Sequence, residues 1–217
     1  RWVAGDRLEL YANPDYHERK PGIDRVVIRV VPDATTMFLE LHQESIDSMA
    51  LTPLQYTRLT DSDFFKKAYG KYRYPSFGYT FAAFNLASPL FADGRVREAL
   101  DAAVDRQEII DGVLLGLGRP VTGPFSPDSW AYNTGVPPSV YDPEKARRLL
   151  EEAGWRDTDG DGVRDKDGKP FEFTIVTNQG VVQRQMIAEI LQRRFAEVGV
   201  RMRIKIIEWS SFLKDVV

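Results

Sequence analysis

The sequence predicts an α/β protein with parallel strand pairs, divided between two lobes. Three observations lead there. Short β-branched or alternating apolar runs stand at residues 26–31, 171–177 and 200–207. Stretches with apolar residues at helical spacing lie between such runs, and most end in glycine or proline. Strand, helix and strand follow one another twice, about 120 residues apart, and each such unit reads as a right-handed parallel crossover. Two units so far apart predict two lobes, each incomplete.

Each element has a local reason. Val26–Val31 is β-branched and closed by Pro32-Asp33, so it reads as a mostly buried strand. Asp33 can cap a helix carrying Met37, Phe38 and Leu41. Ile46–Leu51 reads as the returning strand, and Thr52-Pro53 opens a short helix. Residues 61–76 form a polar and aromatic connection, and 77–86 read as a strand with Tyr79, Phe81 and Ala83 on one face. Asp93 can cap a helix with the stripe Val96, Ala99, Leu100, Ala103, Val104. Asp105 and Glu108 have capping-box spacing, and Gly116-Leu117-Gly118 should end that helix. Residues 119–141 are a long Pro/Gly/Ser-rich loop, of the kind that often binds. Asp142-Pro143 starts a helix with Ala146, Leu149, Leu150 and Ala153 inward, ended by Gly154. Strand 171–177, helix 181–198 and strand 200–207 make the second crossover unit.

Composition narrows the function. The chain has 217 residues, 29 basic against 32 acidic for a net charge of −3, 43% hydrophobic residues and no cysteine. A packed core is affordable at that apolar content, so wholesale disorder is excluded. Mild acidity argues against nucleic acid or an anionic membrane as main partner. No apolar run reaches the roughly 18–20 residues of a membrane span. Without cysteine there are no disulfides, thiolate metal sites or thiol catalysis. The chain starts at Arg1 with no export signal in view and stops at Val217 just inside an apparent helix, so an excerpt of a longer protein is expected.

In open α/β sheets ligands sit beyond the carboxyl ends of the parallel strands. Here those ends are Pro32-Asp33, Leu51-Thr52, Asn178-Gln179-Gly180 and Glu208-Trp209. Tyr79, Phe81 and Trp130 are candidate apolar walls of a cleft, against the alternative that they are core or loop staples. Asp157, Asp159, Asp161 and Asp165 alternate with glycines as in the front half of a calcium loop. The loop's twelfth position, where a bidentate Glu closes such sites, is Gly168, and a strand follows in place of a helix. A charged, glycine-rich β-turn is the competing reading. No cofactor is required by the sequence; calcium is the one candidate.

Catalytic patterns are thin. His17 and His42 are the two histidines, and their spacing does not place them together. There is no nucleophile elbow, phosphate loop, dinucleotide fingerprint or His-Glu-x-x-His. A non-enzyme is expected.

Several segments together resemble solute-binding protein family 5. They are Asn13-Pro14-Asp15-Tyr16, Ile46-Asp47-Ser48-Met49, Phe84-Asn85-Leu86 and the Arg95-Val96-Arg97…Ala99-Leu100…Asp105-Arg106 stretch. Tyr141-Asp142-Pro143, Leu149-Leu150…Ala153-Gly154-Trp155 and Glu208-Trp209 complete the set. The resemblance runs from Trp2 to about Leu213, nearly the whole chain. It implies a two-lobed, periplasmic-binding-protein-like fold (type II), with residues 1–84 in the first lobe and 85–217 beginning the second. The remaining first-lobe strands, an inserted subdomain and the carboxyl half of the second lobe would then lie outside this chain. The implied activity is capture of a peptide-like ligand by lobe closure, for an ABC importer's permease subunits, outside the cytoplasm at the periplasm or cell surface. Nickel complexes or oligosaccharides are alternative ligands on the same scaffold, and an enzyme using the cleft is the alternative of a different class. Implied ligand neighbours are Leu51 and Thr52 after the Ile-Asp-Ser-Met segment, and Tyr79 and Phe81 before Asn85. Arg95, Arg97 and Asp105 read as structural, and His17 stands where the family tends to have Trp.

Overall fold

The computed structural model describes residues 1–75 and 77–216, with side chains through Lys214. They fall into two compact units, Arg1–Thr52 and Pro53–Val217.

In the first unit, strands β1 (Trp2–Val3), β2 (Arg7–Tyr11) and β3 (Arg25–Arg29) form an antiparallel sheet in that order. Leu8 faces Ile28 and Glu9 faces Val27 across the β2–β3 ladder. The carboxylate of Glu9 is buried and accepts hydrogen bonds from Arg7 Nε (2.7 Å) and the Tyr11 hydroxyl (2.8 Å), with Arg25 at 3.3 Å. Arg7 first, and Tyr11 second, hold its pKa down at about 2. Helix α1 (Ala34–His42) starts as expected, with the Asp33 carboxylate accepting from the Thr36 N–H at 2.7 Å. Arg29 grips Glu40 with both guanidinium nitrogens, at 2.7 and 3.0 Å, and so ties β3 to α1.

Two expectations fail here for one reason. A strand needs a hydrogen-bonded neighbour, and the neighbour of β3 is β2, antiparallel, rather than a parallel strand after α1. Residues 46–51 form no ladder among the described residues, so the first crossover unit does not exist in this chain. β3 is exposed along its whole length, not mostly buried.

In the second unit the chain turns helical at Pro53 as expected, and residues Gln55–Leu59 take the wider π form. Helix α2 (Asp63–Ala68) is capped by Ser62. Residues 69–75 and 77–85 run without helix or strand, so the strand expected at 77–86 is absent; once more no ladder partner stands beside it among the described residues. A 3-10 turn (Pro89–Phe91) leads to α3 (Gly94–Ala102), capped by Asp93, whose carboxyl is held at about 2 by the Arg95 side chain and then its backbone N–H. The stripe is found inward: Val96, Ala99, Leu100 and Ala103 are buried.

Helix α4 (Arg106–Gly112) ends four residues before the expected glycines, although Gly116 does adopt positive φ. Its capping box is half made. Asp105 Oδ1 accepts from the N–H groups of Gln107 and Glu108, but the Glu108 carboxylate turns to Arg193 and Arg194 instead of returning. Burial pushes the Glu108 carboxyl up, and those two guanidinium groups outweigh it and hold it below its ordinary value. Residues 119–141 are free of helix and strand, as read. Helix α5 (Pro143–Glu152) follows with Asp142 as its cap.

A small hairpin, β4 (Asp165–Lys166) with β5 (Lys169–Pro170), precedes the second crossover unit. That unit is present as expected: β6 (Glu172–Asn178), α6 (Val182–Ala196) and β7 (Arg201–Ile207), the strands parallel with Ile175 beside Ile204. Helix α7 (Trp209–Val216) closes the chain. One core joins α3, α5, α6 and the sheet, with Leu100, Leu150, Phe171, Phe195 and Met202 among its buried members. Arg95 and Arg97, read as structural, both make hydrogen bonds to backbone carbonyls. Arg95 donates to the Glu152 carbonyl at 2.7 Å, and Arg97 donates to the carbonyls of Phe91 (2.6 Å) and Ala92 (2.9 Å).

Candidate functional site

The carboxyl edge of the β6–β7 pair is built from residues that the local sequence can specify. Both strands end at one level, Asn178 opposite Ile207, and the Gln179 N–H closes onto the Ile207 carbonyl at 2.8 Å. Gly180 then turns the chain at φ +86°, a conformation that glycine alone adopts without strain. α6 begins without a side-chain cap. Asn178 is 5% exposed; its side-chain amide nitrogen donates to the Gln179 carbonyl (2.9 Å) and its side-chain oxygen accepts from Arg184 Nη1 (2.5 Å). On the β7 side, Glu208 accepts from the N–H groups of Ser210 (2.7 Å) and Ser211 (3.2 Å). The Ser210 hydroxyl, then these amides, lower the Glu208 pKa. The rings of Trp209 and Phe212 stack, with centroids 5.7 Å apart. This edge can hold a polar ligand through charge, amide dipoles and an aromatic face.

The expected ligand neighbours are distributed unevenly. Tyr79 and Phe81 come together, their rings 5.3 Å apart on one side of the extended chain, and both are exposed. Trp130 is 99% exposed in the 119–141 loop. Leu51 and Thr52 are half-buried at the end of the first unit. The strand-end rule no longer selects them, because no strand precedes them, and Pro32-Asp33 follows an antiparallel one. Their selection by family resemblance is unaffected. Asn178 stands at a strand end that the sequence selected, whereas its partner Arg184 was missed. The signal available in sequence was an arginine in the first turn of a helix that lacks an Asp, Ser or Thr cap.

Three of the four expected metal-ligating aspartates converge. Asp157, Asp159 and Asp165 each bring a carboxylate oxygen within 4.8 Å of the others and could hold a divalent cation. Asp161 does not join them, because its carboxylate pairs with Arg201 at 3.1 Å. The loop also closes on its own hydrogen bonds. Asp157 accepts from the N–H groups of Gly160 (2.8 Å) and Gly162 (3.0 Å), and Asp165 from the N–H (2.9 Å) and hydroxyl (2.8 Å) of Thr158. The fold is therefore expected to stand without metal. A chelator should leave the melting temperature unchanged. A fall of more than about 2–4 °C, roughly 1 kcal/mol for a domain of this size, would show instead that a bound cation contributes.

This edge lies on an α/β body in which no helix of the described residues is long and apolar enough to cross a membrane. The chain belongs to the bacterial extracellular solute-binding proteins, family 5, whose model matches residues 1–217. It is 36% identical to the oligopeptide-binding protein AppA of Bacillus subtilis over 99% of this chain and 39% of that protein. A solved structure of AppA in complex with a nonapeptide superposes with a TM-score of 0.79, covering 99% of this chain and 42% of that one. The nickel-binding periplasmic protein of Escherichia coli is 31% identical over 86% of this chain and 36% of its own length. The chain thus spans about two fifths of the relatives it matches. The fold class is the expected one: part of the two-lobed periplasmic-binding-protein architecture.

Proposed function

We propose that the protein containing this chain captures a peptide-like solute outside the cytoplasm and delivers it to the permease subunits of an ABC importer. The observation that carries this reading is the 36% identity, over 99% of the chain, to an oligopeptide-binding protein. In this proposal residues 1–84 contribute to the first lobe and 85–217 begin the second. Leu51, Thr52, Tyr79, Phe81 and Trp130 face the ligand. Closure follows because the ligand binds the closed state better and shifts the population toward it. No bond is made or broken, and no cofactor is required. A nickel complex is the second reading, favoured by the 31% identity to a nickel-binding relative.

Native mass spectrometry of the full-length protein, purified without refolding, tests the proposal. Adduct masses that resolve into peptides on denaturation are the expected result. Adducts carrying nickel in their place would move the assignment to the second reading. Release of cleaved products from an added peptide would overturn the non-enzyme assignment.

A further inference from the structure

We propose, building on the peptide-capture reading, that Arg184 binds a carboxylate of the ligand and that buried Asn178 holds it in position to do so. The other partly or fully buried arginines mostly face carboxylates: Arg7 meets Glu9, Arg106 meets Asp101, Arg147 meets Glu144, Arg164 meets Glu151 and Arg194 meets Glu108. Arg97 spends itself on two carbonyls that end the turn before α3. Arg184 is half-buried, and among the described residues its guanidinium meets no Asp or Glu; its partner is the oxygen of a neutral amide. An amide orients a guanidinium without cancelling its charge. A partly desolvated cation left so is unfavourable until an anion arrives.

The amide itself cannot swing away. Asn178 is 5% exposed, and its nitrogen is committed to the Gln179 carbonyl, so its oxygen stays turned to Arg184. Its place is the last position of β6, level with the end of β7, where ligands of open parallel sheets lie. The turn beside it is open: a side chain built at Gly180 would meet nothing within 4 Å. A planar guanidinium held in this way suits a carboxylate, which it can grip with two parallel hydrogen bonds. The carboxylate is either the peptide's carboxyl terminus or an acidic side chain.

The test uses the full-length protein and randomised nonapeptide libraries lacking Asp and Glu, as free acids and as carboxyl amides, plus an amidated library with one Glu stepped through each position. Retained peptides are counted by mass spectrometry. Wild type is expected to retain one carboxylate-bearing set at least about tenfold over the neutral amides. Preference for the free acids identifies the terminal carboxylate; preference for Glu at one position identifies a side chain. Arg184→Gln should retain all sets equally. Asn178→Asp, nearly isosteric, gives Arg184 an internal carboxylate and should abolish the preference with Arg184 still in place. Melting curves confirm that both variants fold. A wild type that retains peptides without regard to charge, or a preference that survives in both variants, overturns the role of Arg184 while leaving peptide capture intact. Retention of no peptide at all overturns both.

Discussion

Phe171→Ala is expected to lower the unfolding free energy by about 3–5 kcal/mol, the usual loss for a large aromatic removed from a closed core. Phe171 is 0% exposed. Its ring lies 4.6 Å from that of Trp155 and 6.2 Å from that of Phe173, which in turn meets Phe91 at 5.1 Å. This row of rings fills the space between α5, the sheet and the turn before α3. The backbone on either side is pinned, because the Phe171 N–H donates to the Arg164 carbonyl and the Phe171 carbonyl accepts from Arg201. Collapse into the vacancy is therefore resisted, which puts the loss toward the upper end. Urea unfolding should show the midpoint fall without a change of slope. A loss under about 1 kcal/mol would mean that the core closes over the gap.

Arg164→Met is expected to cost about 3 kcal/mol although it keeps most of the side chain's bulk. Arg164 donates from Nε to the Val198 carbonyl (2.9 Å), from Nη1 to the Trp155 carbonyl (2.8 Å) and from Nη2 to Glu151 (3.1 Å). Those acceptors belong to the ends of α6 and α5. Methionine leaves two buried carbonyls without donors, which is worse than never having placed a polar group there. The side chain crosses over Gly199, where an added Cβ would stand 2.8 Å from its Cγ. Arg164→Lys should recover part of the loss, since one ammonium cannot reach three acceptors spread around a planar fork. Equal stabilities for the Met and Lys variants would remove hydrogen bonding as the cause.

The elements of the second unit were legible because each carries its own reason to form. α3 has a cap and an apolar stripe that begins within it, α5 has Asp142-Pro143, and β6 and β7 have each other within thirty-odd residues. The first crossover unit and the strand at 77–86 were misread because apolar alternation states only that a segment suits a sheet. Whether it becomes a strand depends on a neighbour, and β2, which supplies one to β3, was not recognised in Arg7–Tyr11. Side-chain partners separated in sequence were illegible altogether. Asp161 belongs to Arg201, forty residues on, so a spacing rule that groups it with Asp157 has no access to the fact. Asn178 and Arg184 are six residues apart, yet only the reversal at Gly180 faces them together.

The four tryptophans divide unequally between water and core: Trp155 is buried, whereas Trp2, Trp130 and Trp209 are exposed. Their emission is thereby separable. Iodide should quench most of the fluorescence of the folded chain and leave a blue-shifted remainder from Trp155 alone. That remainder reports the packing of the ring row, and the quenched part reports what reaches Trp2, the loop at Trp130 and the sheet edge at Trp209. With no cysteine in the chain, a single introduced thiol could carry an acceptor dye without competition. Native sequence therefore already provides a donor on the aromatic core and another beside the edge where the ligand is expected.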